Sequence, residues 1–378
     1  MSIRQMFPGS IVKPGFNPLA AQPPTILYNL FGWGYNSNGE LGLGNTTYAF
    51  SSPQQVGALT NWATPIIDST CSAAIKTDGT LWTWGANGSG RLGLGNTTHY
   101  SSPKQVGALT NWSTLVFSNG AAIAIKTDGT LWSWGANPYG SLGLGNTTNY
   151  SSPKQVGALT TWLKVSGGGY AVGAIKTDGT LWTWGYGAQG RLGLGSTVNI
   201  SSPQQVGALT TWSNIFMGGG HALAVKTDGT LWTWGYNLQG QLGLGVRTYY
   251  SSPKQVGALT TWYSVACGSN CSYSIKTDGT LWSWGQNDAG QLGLGNVTYY
   301  SSPKQIGGLT TWSIIGARSA SVSAIKTDGT LWSWGNGFAG ALGTGNTTSR
   351  SSPVQVGAST TWSKISSNSG GNFSLALG

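Results

Sequence analysis

Side chains able to do chemistry are few in this chain, and their spacing argues against catalysis. The two histidines, His99 and His221, fall at non-equivalent positions of a repeating sequence. No Asp or Glu stands in a nucleophile, paired-carboxylate or metal-ligand pattern. Cys267 and Cys271 are four residues apart, a spacing open to metal or a disulfide, but the positions equivalent to Cys271 hold Ala121, Ala171 or Ser321, as a small buried residue would. Cys71 shares that position four repeats away, so it has no reason to pair with Cys271, and three cysteines make no disulfide framework. The reading is no enzyme, no metal and no cofactor.

The net charge of +10 leaves polyanions as candidate partners. Six of the nine acids lie in Lys-Thr-Asp-Gly tetrads that bring their own lysine, which leaves thirteen basic residues against Glu40, Asp68 and Asp288. Lys104, Lys154, Lys254 and Lys304 recur after a Ser-Ser-Pro step, preceded by Tyr100, Tyr150, Tyr250 and Tyr300. Such a set of charges and rings suits weak, non-specific polyanion contacts at most.

What must position these groups is a strict repeat. Lys-Thr-Asp-Gly begins at Lys76 and recurs every fifty residues to Lys326, and Ser-Ser-Pro runs from Ser51 to Ser351, giving seven units. Tyr48-Ala49-Phe50 stands where later units have two residues, a one-residue loop insertion. In a typical unit, Ala222–Lys226 and Thr230–Trp234 flank Asp228-Gly229, the pair that favours a type I′ hairpin turn. Trp232 and Trp234 alternate with Leu231 and Thr233, so both rings share one face and are core. Ser201-Ser-Pro-Gln-Gln-Val206 reads as an edge strand, where proline discourages pairing between molecules. With 61 Gly and 20 Trp and no helical periodicity, the chain is expected to be all-β: a seven-bladed β-propeller of four-stranded blades. Phe373–Leu377 matches the first strand of a hairpin and Leu27–Trp33 the second, so the two terminal segments should complete one blade and close the ring.

Trp-Gly-x-Asn-x-x-Gly-x-Leu-Gly-x-Gly from Trp234 to Gly245, a partial Gly-x-x-His at Gly218 and His221, and the strand leading into Asp-Gly together resemble the RCC1 repeat over residues 26–378. The resemblance implies a propeller and permits chromatin-bound nucleotide exchange on a small GTPase. That activity uses loops and an inserted hairpin that depart from the repeat, whereas these units are metrically uniform. Plant ultraviolet-B receptors of this fold place tryptophans in a Gly-Trp-Arg-His-Thr stretch; Gly218-Gly-Gly-His221 and Gly268-Ser-Asn-Cys271 have none, so light sensing is not expected. A bacterial β-lactamase-inhibitor relative implies that one face can act by protein binding alone.

The units differ from one another mainly in the twelve residues after the lone tryptophan, from Ala63–Ala74 in the first to Ser363–Ser374 in the last. Each keeps an apolar residue near its start (Pro65, Leu115, Val165, Ile215, Val265, Ile315, Ile365), and its centre reads as a loop. In the resembling family this loop opens beside the central channel. Asp68, Asn119, Tyr170, His221, Asn270, Arg318 and Asn372 are therefore candidates for a ring that meets a surface ligand, protein or glycan. Glycosylation-like triplets such as Asn45-Thr-Thr47 recur with the repeat and read as turn chemistry.

Residues 1–25 stand outside the repeat. Five prolines oppose a helix, yet Phe7, Ile11, Val12 and Phe16 are too apolar for a solvated tail, so the segment reads as an extended arm that binds a protein partner or sister subunits. No stretch resembles a signal-peptide core or a membrane span, which predicts a cytoplasmic product when made, and no membrane insertion. The expected function is a non-enzymatic binding or adhesion head, mounted by its arm on a virion or surface assembly. The alternative is an intracellular RCC1-like regulator binding a small GTPase or chromatin.

Overall fold

The structure, a computed structural model, describes residues 28–366 and 370–378. They fold into seven four-stranded antiparallel sheets. Blade four is typical, with strands Trp212–Met217, His221–Lys226, Leu231–Gly235 and Tyr250–Gln255. Blades one to six begin at Trp62, Trp112, Trp162, Trp212, Trp262 and Trp312; blade seven combines Lys364–Ile365 and Phe373–Leu377 with Leu30–Tyr35 and Ala49–Gln55. First strands of successive blades touch around a closed circuit, which places them at the axis and the Ser-Ser-Pro strands at the rim.

Closure follows the expected register. Leu30 pairs with Leu377 and Gly34 with Phe373, and the backbone N–H of Asn29 donates to Gly378 O at 3.1 Å. The hairpin that a turn makes in the other six blades is made here by two strands from opposite ends of the sequence.

Tryptophan joins blade to blade. Trp234 is fully buried, lies edge-on to Trp212 at 6.2 Å, and donates its indole N–H to Arg191 O of blade three at 2.9 Å. Burying such a ring contributes roughly 4–6 kcal/mol of transfer free energy before ordering costs. Gly193 is obligatory beneath it: φ is +71°, and a Cβ there would lie 2.8 Å from Trp234 Nε1. At the rim, the pairing of Tyr150 with Gly135 and Lys154 with Ser133 shifts register across Pro153, so the edge strand bulges at its proline.

One expectation is corrected. The Asp-Gly turn is not type I′, because only its glycine has positive φ; Gly229 N donates to Lys226 O and Lys226 N to Thr230 O, a type I turn with a following glycine bulge. Asp228 sets this choice, its carboxylate accepting from Thr230 N at 2.9 Å and from Thr230 Oγ1 at 2.6 Å. The variable twelve residues hold their loop at the centre, between two strands. In blade four they build the axial strand to Met217 and part of the next, leaving three residues, 218–220, between them. The Asn-x-Thr triplets are Asx turns as expected, with Asn96 Oδ1 accepting from Thr98 N at 3.0 Å.

Candidate functional site

Because strands alternate in direction, each blade puts its first-to-second and third-to-fourth connections on one side of the disc and its Asp-Gly turn on the other. On the first side, the loop face, the channel widens into a cavity of about 560 Å³. Asn119, Asn270 and Asn372 line it, as do Gln189, Arg191 and Tyr236 and the backbone of several glycines.

Arg191 dominates its electrostatics. Its Nη1 donates to Gly169 O at 2.8 Å and Gly219 O at 3.0 Å, Nε donates to Ala188 O at 3.0 Å, and Nη2 reaches Gln189 Oε1. The guanidinium lies 4.5 Å over the Tyr186 ring. Burial draws its pKa below the ordinary arginine value, partly offset by Tyr186 and Tyr139. The result is a cation held by carbonyl dipoles and rings, bridging blades three and four at the cavity wall.

Three non-glycine residues here have positive φ: Asn119 at 46°, Tyr170 at 65° and Gln189 at 56°. Such backbone costs on the order of 1–3 kcal/mol each and persists where the surroundings demand it. Tyr139 meets Tyr170 at 5.2 Å and Tyr186 at 4.4 Å, and Tyr236 meets Tyr249 at 5.1 Å. Partly exposed tyrosines around an arginine are the composition that anchors protein interfaces.

The seven candidate loop residues divide. Asn119, Asn270 and Asn372 line the cavity, and Tyr170 stands beside it in the tyrosine cluster. Asp68, His221 and Arg318 are fully buried, against the expectation of a displayed ring. Asp68 Oδ2 accepts from Gly120 N of the next blade at 2.8 Å and lies 4.0 Å from Arg91 Nη1. Burial raises its pKa, with Arg91 working in the opposite direction. His221 Nε2 is 2.9 Å from Ser272 Oγ, again across a blade boundary; burial first, and the charge of Arg191 second, lower its pKa to about 3. Arg318 donates to Ser321 Oγ and Ser323 Oγ at 3.1 and 2.9 Å, and burial lowers its pKa to about 9. These three polar side chains fill gaps within and between blades.

Sequence reasoning passed over Gln189, Arg191 and Tyr236, which belong to the third-to-fourth connections. The available signal was the set of variable x positions inside the Trp-Gly-x-Asn-x-x-Gly-x-Leu motif, where Tyr186, Gln189 and Arg191 sit in blade three.

At the rim, Lys104, Lys154, Lys254 and Lys304 are exposed, each with its ammonium 5.4–5.7 Å from the ring of Tyr100, Tyr150, Tyr250 or Tyr300. Those ring faces are thus partly taken by the protein's own lysines. Cys71, Cys267 and Cys271 are buried free thiols, and burial pushes the Cys271 pKa up to about 11, which disfavours the reactive thiolate. Among the described residues no helix is long and apolar enough to cross a membrane. Residues 1–25, with Phe7, Ile11, Val12 and Phe16, lie outside the described residues.

Comparison with known proteins bears on the whole ring. Residues 29–376 match the family model of the RCC1-like domain. Prp20p from Saccharomyces cerevisiae superposes with a TM-score of 0.83 at 21% identity, over 94% of this chain and 92% of that one. That protein was described with its binding to Gsp1p and histones. Human WBSCR16 gives 0.83 at 20% identity, over 93% and 98% of the two chains. Yeast RCC1 (Prp20) bound to Kap60 gives 0.82 at 19% identity, over 100% and 96%. At these identities the likeness is one of fold.

Proposed function

This chain belongs to the RCC1-like domain family, and from that premise we propose that it acts by binding a protein partner through its loop face. The observation that carries the reading is the axial cavity, lined by Arg191, Tyr236, Asn119 and Gln189 with the Tyr139, Tyr170 and Tyr186 cluster beside it, at positions that differ from blade to blade. Side-chain diversity at one polar concavity, with left-handed backbone at Asn119 and Gln189 on its wall, favours recognition over mere drift. The regulator reading takes precedence over the mounted head, since Prp20p, of the same architecture, was described with its binding to Gsp1p and histones. A second reading, a head domain on a virion or surface assembly, rests on the apolar, proline-containing residues 1–25.

The test is surface-immobilised full chain exposed to purified Gsp1p and to core histones at physiological salt. The expected result is binding of one of them, weakened about tenfold by the Tyr139→Ala, Tyr186→Ala double variant, a loss typical of an aromatic anchor. Binding of neither protein removes the regulator reading in favour of the head. Binding that survives both substitutions removes the loop face.

A further inference from the structure

The constant parts of the repeat build a second kind of site, far from the axial cavity. Between blades one and two, a groove of about 420 Å³ is lined by Val106, Leu109, Trp132 and Lys126, with Gln105 and Pro153 at its borders. Equivalent grooves of about 410 and 380 Å³ contain Lys176 with Trp182 and Lys326 with Trp332. They open beside the linkers that join one blade to the next.

The lysine in these grooves is unusual. Lys76, Lys126, Lys176, Lys226, Lys276 and Lys326 are each at least nine-tenths buried. Every ammonium sits 3.6–4.0 Å from the centroid of the half-buried tryptophan of its own blade. A second tryptophan lies about 5 Å away, as Trp112 does from Lys126 at 5.0 Å. The nearby Asp128 carboxylate is engaged by Thr130, and among the described residues none of these ammoniums donates to a carboxylate or carbonyl. Each ammonium is thus held by ring faces and by the charge of the Asp in its own tetrad, without a hydrogen bond to either, and keeps donor capacity toward the groove.

Beside each lysine an aliphatic side chain stays in solvent. Leu59, Leu109, Leu159, Leu209, Leu259 and Leu309 are 46–49% exposed, an apolar residue kept in six units where packing does not demand it. Blade seven lacks all three elements together: the strand register puts Gly378 in the lysine position and Phe31 in the tryptophan position, and Ser359 replaces the leucine. Lysine, half-buried tryptophan and exposed leucine are present or absent as a set.

We propose that these three grooves, and the three equivalent lysine–tryptophan–leucine sets at Lys76, Lys226 and Lys276, are docking sites for acidic, apolar peptide segments of a partner protein. A Glu or Asp carboxylate accepts from the lysine ammonium, and an adjoining leucine or aromatic side chain packs on the tryptophan edge and the exposed leucine. Charge complementarity supports the choice, since the groove offers a donor-rich cation and the chain carries +10 overall. The apolar walls favour a hydrocarbon side chain over a polyhydroxylated sugar. Six equal sites around a disc suit a partner that repeats the motif, because linked motifs gain avidity without new contacts.

Calorimetric titration of the full chain with acetylated Glu-Leu-Glu-Leu amide tests this, followed in parallel by tryptophan fluorescence. The controls are the Gln-Leu and Glu-Ser versions of the peptide. The expected result is about six sites per chain and at least tenfold weaker binding of both controls. Replacing the six exposed leucines by serine, the residue blade seven already has, leaves the core untouched and should abolish the titration, while Lys126→Met alone should remove one site. Equal binding of the Gln-Leu peptide, no binding at millimolar concentration, or unchanged binding by the leucine variant would each overturn the proposal. The Tyr139→Ala, Tyr186→Ala variant should titrate as wild type, which keeps this result separable from the loop-face reading.

Discussion

The hub and the rim of this disc obey opposite rules. Around the axis the seven blades use different residues at equivalent positions, whereas at the rim they repeat one another almost residue for residue. The difference is physical. First strands meet backbone to backbone, so close that a Cβ on Gly167 would lie 2.4 Å from Phe117 O, and the channel accepts many side chains provided the contact stays narrow. Farther out the wedge between blades widens and must be filled by the same large ring each time, with Gly193 and its equivalents clearing room for the indole. Diversity is therefore tolerated at the hub and destabilising at the rim.

The strongest way to break this picture is to open the ring. Deleting Asn372–Gly378 removes the strand that carries Phe373, Leu375 and Leu377, all fully buried. Losing three such side chains costs on the order of 5–9 kcal/mol, enough to lower Tm by about 10 °C or more. It also bares the edge of Leu30–Tyr35, so self-association should rise. Thermal melting and sedimentation check both. An unchanged melt would mean that hub strands stabilise the ring without a closing hairpin.

Much of this was legible in the sequence, for reasons tied to periodicity. A fifty-residue repeat, paired tryptophans at alternate positions and matching half-hairpins at the two ends leave little choice but a closed propeller. Site residues were harder to read. Whether the side chain at the end of an axial strand enters the channel or turns between blades depends on local register, since a shift of one residue changes its face. Asn270 and Arg318 lie two positions apart in the matching turns of adjacent blades, and one lines the cavity while the other is buried against Ser321 and Ser323. Arg191 was missed for a different reason: its reach across to Gly169 and Gly219 belongs to a neighbouring turn that the motif marks only as an x.

A gentler test concerns the polar groups buried near the hub. His221 is held neutral, its pKa about 3 against an ordinary 6.5. The unfolded chain thus binds a proton there that the folded one refuses. The contribution is fully present above pH 6.5 and is lost as pH falls toward 3. By pH 4.5 it should amount to about 2–3 kcal/mol, from 1.36 kcal/mol for each pH unit below 6.5. Urea unfolding of wild type and His221→Gln at pH 7 and pH 4.5 isolates it, because Asp68 and the other carboxylates titrate alike in both proteins. The variant should lose less stability on acidification by that amount. Equal losses would show that His221 takes up a proton without unfolding its blade boundary.

The smallest effect is expected where the sequence first drew attention to charge. Lys104, Lys154, Lys254 and Lys304 are exposed, and each faces only the tyrosine of its own edge strand. Replacing all four by alanine should change stability by less than about 0.5 kcal/mol per site, the ordinary range for surface substitutions. Any binding of double-stranded DNA to wild type should be weak and should fade between about 50 and 200 mM salt. The variant's log–log salt slope should be shallower by about 0.9 for each phosphate that these lysines no longer neutralise. Tight binding that persists at physiological salt and disappears in the variant would move the recognition surface from hub to rim, and would favour chromatin over a protein partner at the loop face.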